Sequence, residues 1–155
     1  MIQIGDAVPN VEFALTEVQD FQSFKTFLGK TIVLYFYPKD NTSGCTLEAQ
    51  GFRDHLQDFT AANAVILGVS KDSLKSHQKF RAQHCLPFEL IIDNEGKLCE
   101  LFDVIKEKSM YGKKYMGIER STFVISTEGV LLKEWRKVSV TGHVAEVLTF
   151  VKGLI

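Results

Sequence analysis

One cysteine, placed by its neighbours at the start of a helix, carries the most reactive chemistry this sequence offers. An apolar run from Ile32 to Tyr37 is broken by Pro38, and the polar turn Lys39-Asp40-Asn41-Thr42-Ser43-Gly44 leads to Cys45. From Cys45 onward, Ala49, Phe52, Leu56 and Phe59 recur at steps of four and three, which is one face of a helix. Cys45 therefore falls in the first helical turn, at the top of the buried face. Unpaired backbone N–H groups and the positive end of the helix dipole favour a thiolate over a thiol there. A thiolate is a nucleophile that can attack an electrophilic oxygen or sulfur. A cysteine used only for packing would have the same apolar neighbours. The polar turn ahead of Cys45 is what sets it apart.

The residues around it each have an ordinary role to weigh. Thr42 precedes the helix and has the residue type of an N-cap. Pro38 ends a strand by fixing its own φ. Glu48 lies one turn after Cys45, where the dipole favours a carboxylate. Arg120, in Glu119-Arg120-Ser121-Thr122-Phe123, stands ahead of an apolar strand, where an arginine is usually solvated. Thiolate chemistry also calls for a fixed cation, to hold the sulfur's charge and neutralise charge on a departing oxygen.

The spacing Pro38-x-x-x-Thr42-x-x-Cys45 resembles the active-site signature of the peroxiredoxins. The longer string FYPKDNTSGCTLEA is similar to their bacterioferritin comigratory protein (peroxiredoxin Q) branch. Gly5-Asp6-x-x-Pro9, Gly68-Val69-Ser70 and Gly117-Ile118-Glu119-Arg120-Ser121-Thr122-Phe123 match that branch in the same order. The resemblance implies a thioredoxin-like α/β fold and a thiol peroxidase with no metal or organic cofactor. Its substrate would be hydrogen peroxide or an alkyl hydroperoxide, and its reductant thioredoxin or a similar thiol donor. It also implies roles: Cys45 attacks the peroxide, Thr42 orients it, Pro38 shields the thiolate, Arg120 is the fixed cation and Glu48 holds Arg120.

The same resemblance leaves the fate of the oxidised sulfur open. Members of the branch place a resolving cysteine five residues after the nucleophile or directly after a Phe in a later helix. Gln50 and Arg81 stand at those positions here. Cys85, four residues beyond Arg81, is the resolving candidate, and a Cys45–Cys85 disulfide is slightly preferred over a one-cysteine cycle. Cys99 belongs to an apolar set and reads as structural. A thiol–disulfide oxidoreductase is a weaker reading, because no C-x-x-C pair occurs. A redox-sensing or chaperone-like binding protein is the reading from a different class.

His84, Cys85 and Cys99 lack the paired spacing of a metal site. Ser76-His77-Gln78-Lys79 fits S-x-x-K without its companion motifs.

The elements that must position these residues follow from periodicity. Val11–Leu15, Thr31–Tyr37, Ala64–Val69 and Phe88–Ile92 read as extended segments, and residues 73–84 as a polar helix. Leu98, Leu101 and Phe102 indicate a short helix, and Lys106–Lys114 a basic loop. Thr122–Ser126 and Val130–Trp135 form a hairpin around Thr127-Glu128-Gly129, before a last helix through Val144, Val147, Leu148 and Val151. Strands alternating with helices predict a mixed central sheet flanked by helices on both faces, within one domain over residues 1–155. A net charge of -1 gives no general attraction to nucleic acid or to an anionic membrane. No apolar run reaches the roughly 20 residues of a membrane span, and no signal peptide is read at the start. Three unpaired cysteines fit a reducing cytoplasm. A monomer or weak dimer is expected.

Overall fold

The computed structural model describes residues 2–17 and 20–155. In chain order the elements are β1 (Ala14–Leu15), a 3-10 turn (Phe24–Phe27), β2 (Thr31–Phe36), α1 (Ser43–Asp54), α2 (Leu56–Ala61) and β3 (Ala64–Ser70). They continue with α3 (Leu74–His84), β4 (Glu89–Ile92), α4 (Lys97–Leu101), β5 (Ile105–Met110), β6 (Lys113–Ile118), β7 (Ser121–Ile125), β8 (Leu131–Trp135) and α5 (His143–Lys152).

β2 lies between two other strands, parallel to β3 and antiparallel to β7, and is buried along its whole length because both of its faces are covered. Strands covered on both faces have little need of polar residues, and Thr31–Phe36 is β-branched, aromatic or, at Leu34, aliphatic. The six-stranded sheet runs β1-β4-β3-β2-β7-β8. It is mixed, and the chain has a thioredoxin-like α/β fold.

The two-residue period of β2 divides the core. Val33, Tyr35 and Tyr37 face Ala49 and Phe52 of α1, Phe59 of α2, Phe80 of α3 and Val144, Val147 and Val151 of α5. Ile32, Leu34 and Phe36 face Phe13, Phe24, Leu98, Phe102, Phe123 and Ile125. Phe52 is fully buried and stacks on Tyr35 with ring centroids 4.6 Å apart. Burying such a ring contributes roughly 2 kcal/mol and clamps α1 to the sheet. Gly68 explains itself at the same place. A Cβ there would lie 2.8 Å from Leu90 and 2.9 Å from the Tyr35 ring.

Three details differ from the periodicity reading. Residues 106–114 are no loop: β5 and β6 pair antiparallel from Ile105↔Ile118 to Met110↔Lys113. The helix holding Cys45 stops at Asp54, and His55 separates it from α2. The N-terminal extended segment pairs with β4 only through Ala14 and Leu15. No helix among the described residues is long and apolar enough to cross a membrane.

Candidate active site

The chain leaves β2 at the sheet's C-terminal edge, where the Tyr37 N–H still donates to the Val69 carbonyl (3.0 Å). Pro38 has no N–H to continue the ladder. Asn41 takes a left-handed conformation (φ 63), tolerated by its short polar side chain, and turns the chain into α1. Thr42 is the N-cap, so Cys45 is the third helical residue, buried and within the free N–H groups of the first turn.

Arg120, on the segment just ahead of β7, reaches across to it. Its Nη2 donates to Cys45 Sγ at 3.3 Å and its Nη1 to Glu48 Oε1 at 2.7 Å. Its backbone carbonyl accepts from the Val138 N–H (2.9 Å), fixing the segment that carries it. The structure thus brings Cys45, Glu48 and Arg120 together from two elements 72 residues apart. Burial works against the Arg120 charge, but Glu48 and the Cys45 sulfur more than offset it and raise its value above the ordinary one. Burial pushes the Glu48 carboxyl up to about 7, although Arg120 opposes the shift. Its second oxygen, Oε2, is buried without a hydrogen-bond partner, which is the local reason that its charge is costly.

Thr42 is in place but does not make the capping contact that its type suggested. Its side chain caps no helix N–H, and its hydroxyl donates to the Lys39 carbonyl at 3.0 Å rather than to sulfur. That leaves the oxygen's lone pairs able to accept. Pro38 is half-buried beside it. Cys85 forms no bridge with Cys45. It caps the far end of α3 in a left-handed conformation (φ 51), exposed. The Arg53 guanidinium donates to the neighbouring His84 carbonyl (2.9 Å). Arg53 lies two turns down α1, about 12 Å from Cys45 at the helical rise.

Cys99 makes an instructive contrast. It too opens a helix, but the Asp93 carboxylate accepts from its N–H at 2.9 Å. Burial first, then Asp93, push its thiol far above the ordinary range. One cysteine faces a guanidinium and the other a carboxylate.

Two contributors escaped the sequence reading. Gly44 lies close against the guanidinium: a Cβ would stand 3.2 Å from Arg120 Nη2, so the arginine would have to give by a few tenths of an ångström. Lys108 on β5 is a second, half-buried cation within electrostatic range of Arg120 and Cys45. Burial and Arg120 lower its value, and Cys45 opposes them. Only a lysine pattern was available to find it.

The profile of the AhpC/TSA family matches residues 4–133. The chain belongs to the AhpC/TSA family of peroxiredoxins. It is 52% identical over 153 residues to peroxiredoxin Bcp of Bacillus subtilis, covering 99% of this chain and 97% of that one. A Xylella fastidiosa PrxQ variant superposes with a TM-score of 0.93 at 41% identity, covering 99% and 98% of the two chains. A Xanthomonas campestris bacterioferritin comigratory protein, studied for alkyl peroxide reduction, superposes at 0.88 with 44% identity, covering 96% and 99%. This peroxiredoxin is a thiol-dependent peroxidase, with a peroxide as substrate and a thiol as reductant.

Proposed function

We propose that Cys45 is the attacking thiol and that it reduces hydrogen peroxide and alkyl hydroperoxides. The observation that carries this reading is the 3.3 Å bond from Arg120 to the Cys45 sulfur, on a guanidinium also held by Glu48. The Cys45 thiolate attacks the terminal oxygen of the peroxide. The O–O bond breaks, a sulfenic acid forms, and the departing alkoxide or hydroxide takes a proton from water. Arg120 lies where it can neutralise charge on both oxygens as it shifts. The Thr42 hydroxyl, donating to Lys39, is free to accept the peroxide's own O–H. Pro38 narrows access on the strand side. The alkyl hydroperoxide activity studied for the Xanthomonas relative supports this substrate class.

An external thiol, thioredoxin or a smaller donor, then attacks the sulfenic sulfur and releases water. A second thiol frees Cys45 and leaves the reductant oxidised. The place of Cys85, exposed at the far end of α3 while Cys45 is buried at the start of α1, favours this one-cysteine route over the internal disulfide. We place the reaction in the cytosol, in a monomer or weak dimer, in keeping with three free thiols. Cys45→Ser should abolish peroxide consumption coupled to a thioredoxin system, because a serine hydroxyl is a poor nucleophile at neutral pH. Sustained turnover by the folded variant would overturn the assignment.

A further inference from the structure

A buried polar cluster lies beneath the Cys45 loop and takes no part in the chemistry above. The Asp40 carboxylate is 1% exposed. It accepts hydrogen bonds from the Tyr37 hydroxyl (2.7 Å), the Ser76 hydroxyl (2.8 Å) and His77 Nδ1 (2.8 Å). The Asp40 N–H donates to Asp72 Oδ2 (2.9 Å), which also accepts from the Ser70 hydroxyl (2.5 Å). The ligand-type atoms of Asp40, Asp72 and His77 lie within 4.8 Å of one another. They are turned on each other and on protein donors, so the group reads as an internal network rather than a cation site.

Hydrogen-bond accounting, with the bonds that the Asp40 carboxylate accepts, points to a charged pair. The His77 side chain is fully buried, with Nε2 2.9 Å from the Ile91 carbonyl oxygen. A carbonyl only accepts, so Nε2 carries a hydrogen. On the other side, Nδ1 faces Asp40 Oδ2 and, at 3.4 Å, a Tyr37 oxygen whose one hydrogen goes to Asp40 Oδ1. Both neighbours of Nδ1 are therefore acceptors too. An imidazolium against a carboxylate satisfies every atom. Burial would raise the Asp40 carboxyl, but the bonds from His77, Tyr37 and Ser76 outweigh it and hold it below the ordinary carboxylate range.

The pair joins elements that the reaction needs in register. Asp40 belongs to the turn that presents Pro38, Thr42 and Cys45. His77 and Ser76 belong to α3, Asp72 to the turn ahead of it, and the Ile91 carbonyl to β4. We propose that the Asp40–His77 ion pair is a positioning latch that fixes the Cys45 loop to α3, so that losing either partner misplaces the sulfur and loosens the helix. The inference rests on Cys45 being the attacking thiol. His77 touches no substrate and acts through the loop alone. Removing one member of a buried pair strands the other's charge, so both elements should respond to either loss. The groups facing the pair are Tyr37 from the end of β2, Asp72, Ser76 and the Ile91 carbonyl. No further charged side chain among the described residues hydrogen-bonds to it.

The parent protein provides the first test. Nitrogen-15 NMR at neutral pH should show both His77 ring nitrogens protonated, and a neutral ring would overturn the ion pair. Asp40→Asn, His77→Gln and the double variant provide the second. Each single change should slow Cys45 oxidation by a hydroperoxide by roughly ten-fold or more, and the double variant should be no slower than the worse single one. Amide exchange over residues 39–44 and 74–84 should quicken together. Oxidation at the parent rate, or exchange rising in α3 while 39–44 stays protected, would overturn the latch. Should these variants fail to fold, Ser76→Ala removes only one bond into Asp40. It should give the same coupled changes in smaller measure, and unaltered rate and exchange there would also overturn it. If Cys45→Ser is inactive while His77→Gln reacts at the parent rate, the latch alone is lost. If Cys45→Ser turns over, the peroxidase assignment fails, whereas the NMR result still decides the ion pair.

Discussion

Arg120 serves two neighbours at once, and its planar fork is what makes that possible. One arm holds the Cys45 sulfur at 3.3 Å and the other Glu48 at 2.7 Å, with Glu48 fully buried. Even with Arg120 beside it, burial holds the Glu48 carboxyl up at about 7, so without the guanidinium it would be a still poorer anion. Arg120→Ala should therefore lower kcat/KM for a hydroperoxide about 10²-fold, the usual cost of one preorganised donor. Arg120→Lys should recover only part of this, because a point charge cannot hold both partners. Stopped-flow oxidation rates decide it, and a parent rate in Arg120→Ala would remove the arginine from the chemistry. Cys45, Thr42 and Pro38 were legible as local chain punctuation: a strand, a breaker, a turn and a helix start. Arg120 and Glu48 were legible only through family resemblance, because 72 residues separate them. Gly44 and Lys108 were not legible, since what makes them matter is the approach of a distant guanidinium.

Between α1 and α3 the geometry sets the cost of an internal disulfide. Cys85 follows the last residue of α3 and precedes Glu89 of β4 by four residues, a tether of about 14 Å when extended. To reach Cys45 it must give up the Arg53 bond to His84, the burial of Leu86 and Phe88, and the helical turns holding Phe80. Polar composition makes α3 look cheap to open. The buried His77 and Phe80 make it otherwise. Cys85→Ser should keep turnover within about two-fold of the parent with a thioredoxin system, as its exposed place outside the site implies. Peptide mapping of the parent after one equivalent of peroxide should show Cys45 sulfenic acid or mixed disulfides. A dominant Cys45–Cys85 peptide, with lost turnover in Cys85→Ser, would restore the internal route. The alternation of the strands and the amphipathic α1 and α5 could be read from sequence because each buries a regular stripe. The β5–β6 hairpin could not, as its exposed lysines and methionines carry no buried face. The Asp40–His77 pair has no period at all.

Over the whole molecule, buried titratable groups give stability a pH profile with opposing slopes. His143, at the start of α5, is 3% exposed, with Nε2 2.7 Å from the Thr122 hydroxyl. Burial lowers it from 6.5 to about 4, aided by Arg120 and opposed by Glu146. The unfolded chain therefore binds a proton between those values that the folded chain refuses. Stability from this group is complete above about 6.5 and is lost as pH falls toward 4, on the order of 3 kcal/mol. Asp40, held below its ordinary range, loses its contribution in the same direction at lower pH. Glu48 acts oppositely. The folded chain holds a proton on it between 4.5 and about 7, so its contribution is lost as pH rises through 7. Between about 4.5 and 6.5 the His143 and Glu48 slopes partly cancel. Below that window only the acid losses remain, so unfolding should steepen there. His143→Gln keeps a hydrogen-bonding partner for Thr122 and removes the titration. Urea midpoints measured from pH 4 to 7.5 should fall less steeply toward acid in His143→Gln than in the parent, with the two curves converging in slope above 6.5. Parallel curves across the acid range would show that His143 is not the group whose burial sets the acid limit.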